Sequence, residues 1–203
     1  NAVSYSVAEC WQPYINDTID VIYNGIELTE WYGAKVAKEQ LFSFGRIVPS
    51  KGFDLAVKAA DLLKIDLNIA GPIHDKNYFE EKIAPHLGNG VNYLGHLDHR
   101  ALQQELKLAQ AAVFGVRWDE PFGLSTVEAM ASGTPVAAFN RGAFPEVVSK
   151  KGGVLALGNN VESLAEACEK SLSMHSDDVV HRAQKFPLHT MCASYLEKLS
   201  QIS

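Results

Sequence analysis

The chain has 203 residues, is 47% hydrophobic and 21% charged, and carries a formal net charge of −6. That is enough for one substantial core and too little for two full α/β domains. An acidic balance with no Lys/Arg run argues against a general nucleic-acid binder, and no apolar run approaches the ~20 residues of a membrane span.

In chain order, Val7 to Trp11 reads as helix, and Ile19 to Tyr23 as a strand ended by an Asn24-Gly25 turn. From residue 41, strand and helix alternate. Leu41 to Gly45 is a strand, and Phe53 to Leu63 has the apolar rhythm of a helix. Leu67 to Gly71 is the next strand, stopped by Gly71-Pro72. Asn77 to His86 reads as helix, Val91 to Gly95 as a third strand, and Asp98 as the N-cap of a helix running to Leu108. Ala111 to Gly115 is an apolar run of the kind found in buried parallel strands. A helix over 124–132, a strand over 135–139, an edge strand over 153–156 and a helix over 161–174 follow. Two short helices, Val179 to Lys185 and Met191 to Leu199, flank Pro187. This alternation predicts parallel βαβ units and an α/β fold with a doubly wound, Rossmann-like sheet and extra C-terminal helices.

The stretch Trp118 to Met130 is the centre of the functional reading. A strand is followed by a tight loop with Pro121 and Gly123, then by Leu124, Val127, Met130 and Ala131 at helical spacing. Such a unit offers a helix N-terminus to an anion. Glu120 lies before that terminus and Glu128 about one turn inside the helix. Backbone N–H groups suit a phosphate, and carboxylates suit sugar hydroxyls.

The motifs Glu120-Pro-Phe-Gly-Leu, Glu128-Ala-Met-Ala-Ser-Gly133-Thr-Pro135 and Gly142-Ala-Phe-Pro145-Glu146 resemble the donor-site signature of family-4 retaining glycosyltransferases. A second block, Phe44-Gly45-Arg46-Ile-Val-Pro-Ser-Lys51-Gly52, agrees upstream. The resemblance is strong over residues 41 to about 157. It implies one half of a GT-B architecture, two facing Rossmann-like domains, and a nucleoside-diphosphate sugar (a UDP- or GDP-linked hexose) as donor in carbohydrate biosynthesis. Residues 31–203 would be the C-terminal donor domain, and residues 1–30 the tail of an acceptor domain plus linker. The alternative for 1–30 is an ordinary leading helix and strand. The donor and that N-terminal domain are the expected partners, with peripheral membrane contact left to the latter.

By the same resemblance, Arg46 and Lys51 grip the diphosphate, Glu120 contacts the donor sugar, and Glu128 clamps the ribose. Phe122, Gly123 and Leu124 supply backbone N–H groups. Gly45, Gly71, Gly95, His96 and Leu97 frame the donor, the last four beside the base. For His96 the alternative to any catalytic use is an ordinary polar loop residue.

Two departures stand out. Phe114 to Asp119 replaces a Pro-Ser passage, so that Arg117 or Trp118 either lines the sugar pocket or packs toward the other domain. Gly71-Pro72-Ile73 replaces Gly-x-Gly. No Asp-x-Asp or zinc-like spacing is present, so the expected chemistry is independent of metal or cofactor. Cys10, Cys168 and Cys192 are odd in number and scattered, which suits a reducing, cytoplasmic setting. There is no signal-peptide pattern and no initial Met, as expected of a fragment or processed product. The competing readings are a GT-B phosphorylase or epimerase, and a non-catalytic nucleotide-sugar-binding module acting with a partner.

Overall fold

The computed structural model describes residues 1–33, 36 and 39–201. Among these, six strands form one parallel sheet: β1 (Gln40–Phe44), β2 (Asp66–Ala70), β3 (Val91–Tyr93), β4 (Ala111–Phe114), β5 (Val136–Phe139) and β6 (Gly153–Ala156). The order is β3-β2-β1-β4-β5-β6, so the winding reverses between β1 and β4. That reversal leaves a crevice at the carboxyl ends of the strands.

Side-chain alternation explains why the strands read as unbroken apolar runs. Leu41, Ala111, Val113, Ala137 and Phe139 face one core layer, and Phe42, Ala112, Phe114, Val136 and Ala138 face the other. A sheet covered on both sides must be apolar on both. The first layer packs beneath α2 (Tyr5–Trp11 being α1, and α2 Phe53–Leu63), α3 (Lys76–Lys82) and α8 (Val161–Ser171). The second is closed by α4 (His99–Leu108), α5 (Leu124–Ala131) and α9 (Ser176–Ala183). The short helices α6 (Phe144–Val147) and α7 (Ser149–Gly152), and the last helix α10 (Leu188–Ser200), complete the set.

Two expectations need correction, and two short helices were not expected. The strand over Ile19 to Tyr23 is only an isolated bridge, Val21 to Ala2, because no longer partner runs beside it. The helix over 77–86 breaks after Lys82 into a 3-10 turn, Ala84–His86. Pro85 explains the break, since it lacks an N–H and its ring clashes with the preceding turn. The short helices α6 and α7 carried too little periodicity to be read.

Residues 1–31 pack against the sheet's second layer. Ile26 pairs with Pro187, and Ile26 and Trp31 are buried in that core. The Glu146 carboxylate accepts from the Tyr5 and Ser6 amides at 3.0 and 2.8 Å and from the Tyr23 hydroxyl at 2.8 Å. It thereby caps α1, together with the Ser4 hydroxyl, which accepts from Val7. None of the residues of α10 is buried; Tyr195 joins it to Asn1, and Lys198 pairs with Asp20.

Candidate functional site

Two loops border the crevice at the reversal point. The first leaves β1 through Gly45 and Arg46 and closes in a 3-10 turn, Pro49–Lys51, ahead of α2. The second leaves β4 and runs to Gly123, the N-cap of α5. Gly123 has φ of 89°, and a Cβ there would lie 2.6 Å from the Phe144 ring. Only glycine suits both demands. The first N–H groups of α5, from Leu124 and Ser125, have no acceptor within their own helix and form its positive end.

Lys51 and Glu120 meet across the crevice, with Lys51 Nζ 2.7 Å from Glu120 Oε2. The Trp118 Nε1–H donates to the same oxygen at 2.8 Å, and Lys51 lies 5.2 Å from the Trp118 ring centroid. The ammonium and carboxylate are 20% and 13% exposed, which shields their attraction from solvent. A small cavity beside them is lined by Ser43, Gly45, Lys51, Glu120 and Ser125, among others. Below Glu120, Gly142 approaches so closely that a Cβ would touch the Glu120 backbone, and Ala143 N donates to Glu120 O at 2.9 Å.

A second cavity, about 270 Å³, adjoins the first through Phe44 and Gly45. Arg46, Gly71, His96 and Leu97 line it with Leu102, giving a mainly apolar wall with a cation at its edge. The loop glycines are linked in series: Gly71 N donates to Gly95 O at 2.8 Å, and Gly45 N to Ala70 O at 3.0 Å. Tyr93 braces the row by donating to Gly71 O at 2.7 Å.

The two cations line adjoining cavities that share Phe44 and Gly45. Lys51 stands beside Glu120, whereas Arg46 stands with the loops after β2 and β3. Glu128 lines neither cavity. It is partly buried on α5, and burial pushes its carboxyl up to about 7. Leu124 is exposed, but the Phe122 side chain is buried, 5.5 Å from Phe186 and 5.9 Å from Tyr23 between ring centres.

Arg117 lines neither of these cavities. Its guanidinium forks onto Asp54 at 2.7 and 2.6 Å, and Tyr78 donates to Asp54 at 2.6 Å. Burial raises the Asp54 carboxyl, but the hydrogen bonds from Arg117 and Tyr78 outweigh it and hold the group below the usual range. Asp54 passed unnoticed in the sequence, where it reads as a first-turn helix acid. The available signal was its place inside the apolar face of α2, between Phe53 and the Ala56-Val57 pair. Among the described residues, no group of three or more His, Cys, Asp or Glu side chains is placed to hold a metal ion.

The strand order, the two helical layers and the crevice at the reversal point define a Rossmann-like α/β domain of the GT-B kind. The chain belongs to the glycosyl transferases group 1 family, whose model matches residues 28–185. It is 33% identical over 165 residues to a glycogen synthase of Mycobacterium tuberculosis, covering 76% of this chain and 40% of that protein. A GDP-mannose-dependent mannosyltransferase of Corynebacterium glutamicum is 28% identical over 149 residues, covering 68% and 38%. The chain thus spans about 40% of the length of these relatives.

Among solved structures, sucrose-phosphate synthase from Thermosynechococcus elongatus superposes with a TM-score of 0.86 at 22% identity, covering 99% of this chain and 57% of that one. HepE of Anabaena, in complex with UDP and glucose, gives 0.83 at 21%, covering 98% and 62%. At these identities the likeness speaks for the fold.

Proposed function

We propose that residues 31–203 form the donor-binding domain of a retaining glycosyltransferase, and that residues 1–30 are the tail of its acceptor domain. The enzyme transfers a hexose from a UDP- or GDP-linked donor to an acceptor hydroxyl. The observation that carries this reading is the Lys51–Glu120 pair at the positive end of α5, next to a cavity edged by Arg46. The dependence of one relative on GDP-mannose, and the UDP and glucose bound in one structural neighbour, lend support.

In this reading the base lies against Gly71, His96 and Leu97, and the ribose hydroxyls reach Glu128. The diphosphate sits between Arg46, Lys51 and the α5 N–H groups. Lys51 turns from Glu120 to a phosphate oxygen, which frees Glu120 to accept from sugar hydroxyls. Breaking the sugar–phosphate bond builds negative charge on the departing diphosphate. Fixed cations and helix N–H groups stabilise that charge more than they stabilise the bound donor. The acceptor hydroxyl then attacks the anomeric carbon from the side the diphosphate leaves and passes its proton to the departing phosphate, which retains the anomeric configuration, and the chain's own positive groups carry the charge.

The test is a thermal-shift panel of UDP, GDP and ADP sugars on the wild type and on Arg46→Ala. One base is expected to raise the melting temperature, and Arg46→Ala to abolish most of the rise. Equal shifts with every base, or shifts indifferent to Arg46, would reject the site. Calorimetry near pH 7 adds a second check. Hydroxyls donating to Glu128 favour its ionised form, so binding should release protons there.

A further inference from the structure

Lys51 and Glu120 sit on loops that no sheet ladder holds. Lys51 ends a single 3-10 turn, and Glu120 lies in irregular chain. Their 2.7 Å separation must be set by what fastens one loop to the other. The fastening is visible. At Gly52, with φ of 65°, a Cβ would fall 1.7 Å from Gly115 O, so the two backbones touch directly. Arg117 N donates to Ser50 O at 2.8 Å, and Arg117 Nη1 donates to Pro49 O at 2.9 Å. The same guanidinium then forks onto Asp54, which is 7% exposed and is also held by Tyr78 of α3.

We infer that Arg117, anchored by Asp54 and Tyr78, is the positioning residue that sets Lys51 against Glu120. On the donor-site reading above, it thereby sets the fit of the diphosphate of a nucleotide sugar. The spacing is symmetrical: Arg117 lies three residues before Glu120, and Asp54 three residues after Lys51. One rigid planar group therefore reads both loops at once. A lysine has the charge but no planar fork, and cannot hold two carboxylate oxygens and a carbonyl in one geometry. Ion pairs taken out of water add little net stability. The consequence of this one is geometric: the guanidinium it orients fixes the Pro49 carbonyl, two residues before Lys51, beside the main-chain bond from Arg117 N to Ser50 O.

The chain contains its own reporter. Trp118 donates its indole N–H to Glu120, whereas Trp31 is buried elsewhere and Trp11 is on α1. Indole N–H resonances of the full chain, assigned with Trp118→Phe, are compared in the wild type, Arg117→Lys, Asp54→Asn and Tyr78→Phe. The Trp118 signal is expected to move or broaden in the first two variants and to shift less in Tyr78→Phe, which keeps the fork. Trp31 should stay in place and certify the fold.

Affinities for UDP, GDP and ADP are measured beside those for the corresponding nucleosides. Arg117→Lys should weaken the best diphosphate about tenfold and leave its nucleoside unchanged. An unmoved Trp118 signal in Arg117→Lys and Asp54→Asn, or equal losses for diphosphate and nucleoside, would overturn the inference. If the Trp118 signal moves but the wild type binds no diphosphate, the positioning role stands and the donor-site reading falls. Should Asp54→Asn not fold, an unmoved Trp118 signal in Arg117→Lys alone overturns the inference.

Discussion

Glu128 is the residue whose chemistry departs furthest from its ordinary behaviour among the site carboxylates. Its folded pKa of about 7 lies above the 4.5 of a free glutamate, so the native state holds a proton that the unfolded chain has lost. Stability is therefore full below about 4.5, falls as pH rises toward 7, and levels off above that. The loss amounts to at most about 3 kcal/mol. Glu128→Gln should flatten this decline, melting higher than the wild type at pH 8 and alongside it at pH 4.5. Scanning calorimetry at the two pH values checks it, and parallel profiles would show that the carboxyl titrates normally. Sequence reasoning could name Glu128 but not this shift, which depends on neighbours brought in by packing. Arg117 teaches the same point: its partner Asp54 lies 63 positions away in the chain.

At the scale of elements, local signals were read well where they are local in origin. Asp98 accepts from Ala101 N at 2.8 Å and starts α4, as its side chain and position indicate. Asp98→Ala should cost about 1 kcal/mol, measured by urea denaturation. Gly123 carries a heavier demand. Gly123→Ala must hold a left-handed backbone and push its Cβ against Phe144, so a loss of about 2 kcal/mol or more is expected. If the helix start is where the diphosphate binds, the same variant should lose nucleotide-dependent thermal stabilisation as well. Elements that failed to appear as expected failed for non-local or covalent reasons. Val21 finds only Ala2 to pair with, and Pro85 interrupts a run whose apolar pattern suggested continuity.

At the scale of the molecule, Glu146 is the junction between the first residues and the sheet domain. Its side chain caps α1 and holds Tyr23, while its carbonyl, with that of Val147, accepts from Arg182 of α9. Glu146→Ala should cost about 2 kcal/mol in total. It should also accelerate hydrogen exchange at the Tyr5 and Ser6 amides well beyond that of the β1 and β4 amides. Uniform acceleration would mean that residues 1–30 are not a separable unit and would count against their assignment to an acceptor domain.

The amino-acid sequence alone determined the winding of this domain, the starts of α2, α4, α5 and α8, and the family to which it belongs. Periodicity, caps and short glycine-rich motifs act within a few residues of themselves, and so remain visible in one dimension. Only the tertiary structure decided that Lys51 faces Glu120 while Arg46 stands with the loops after β2 and β3, that Arg117 reaches Asp54, and that Glu128 holds its proton near neutrality. Those outcomes depend on distances between loops and on exclusion of water, which come into being only when the sheet brings distant segments together.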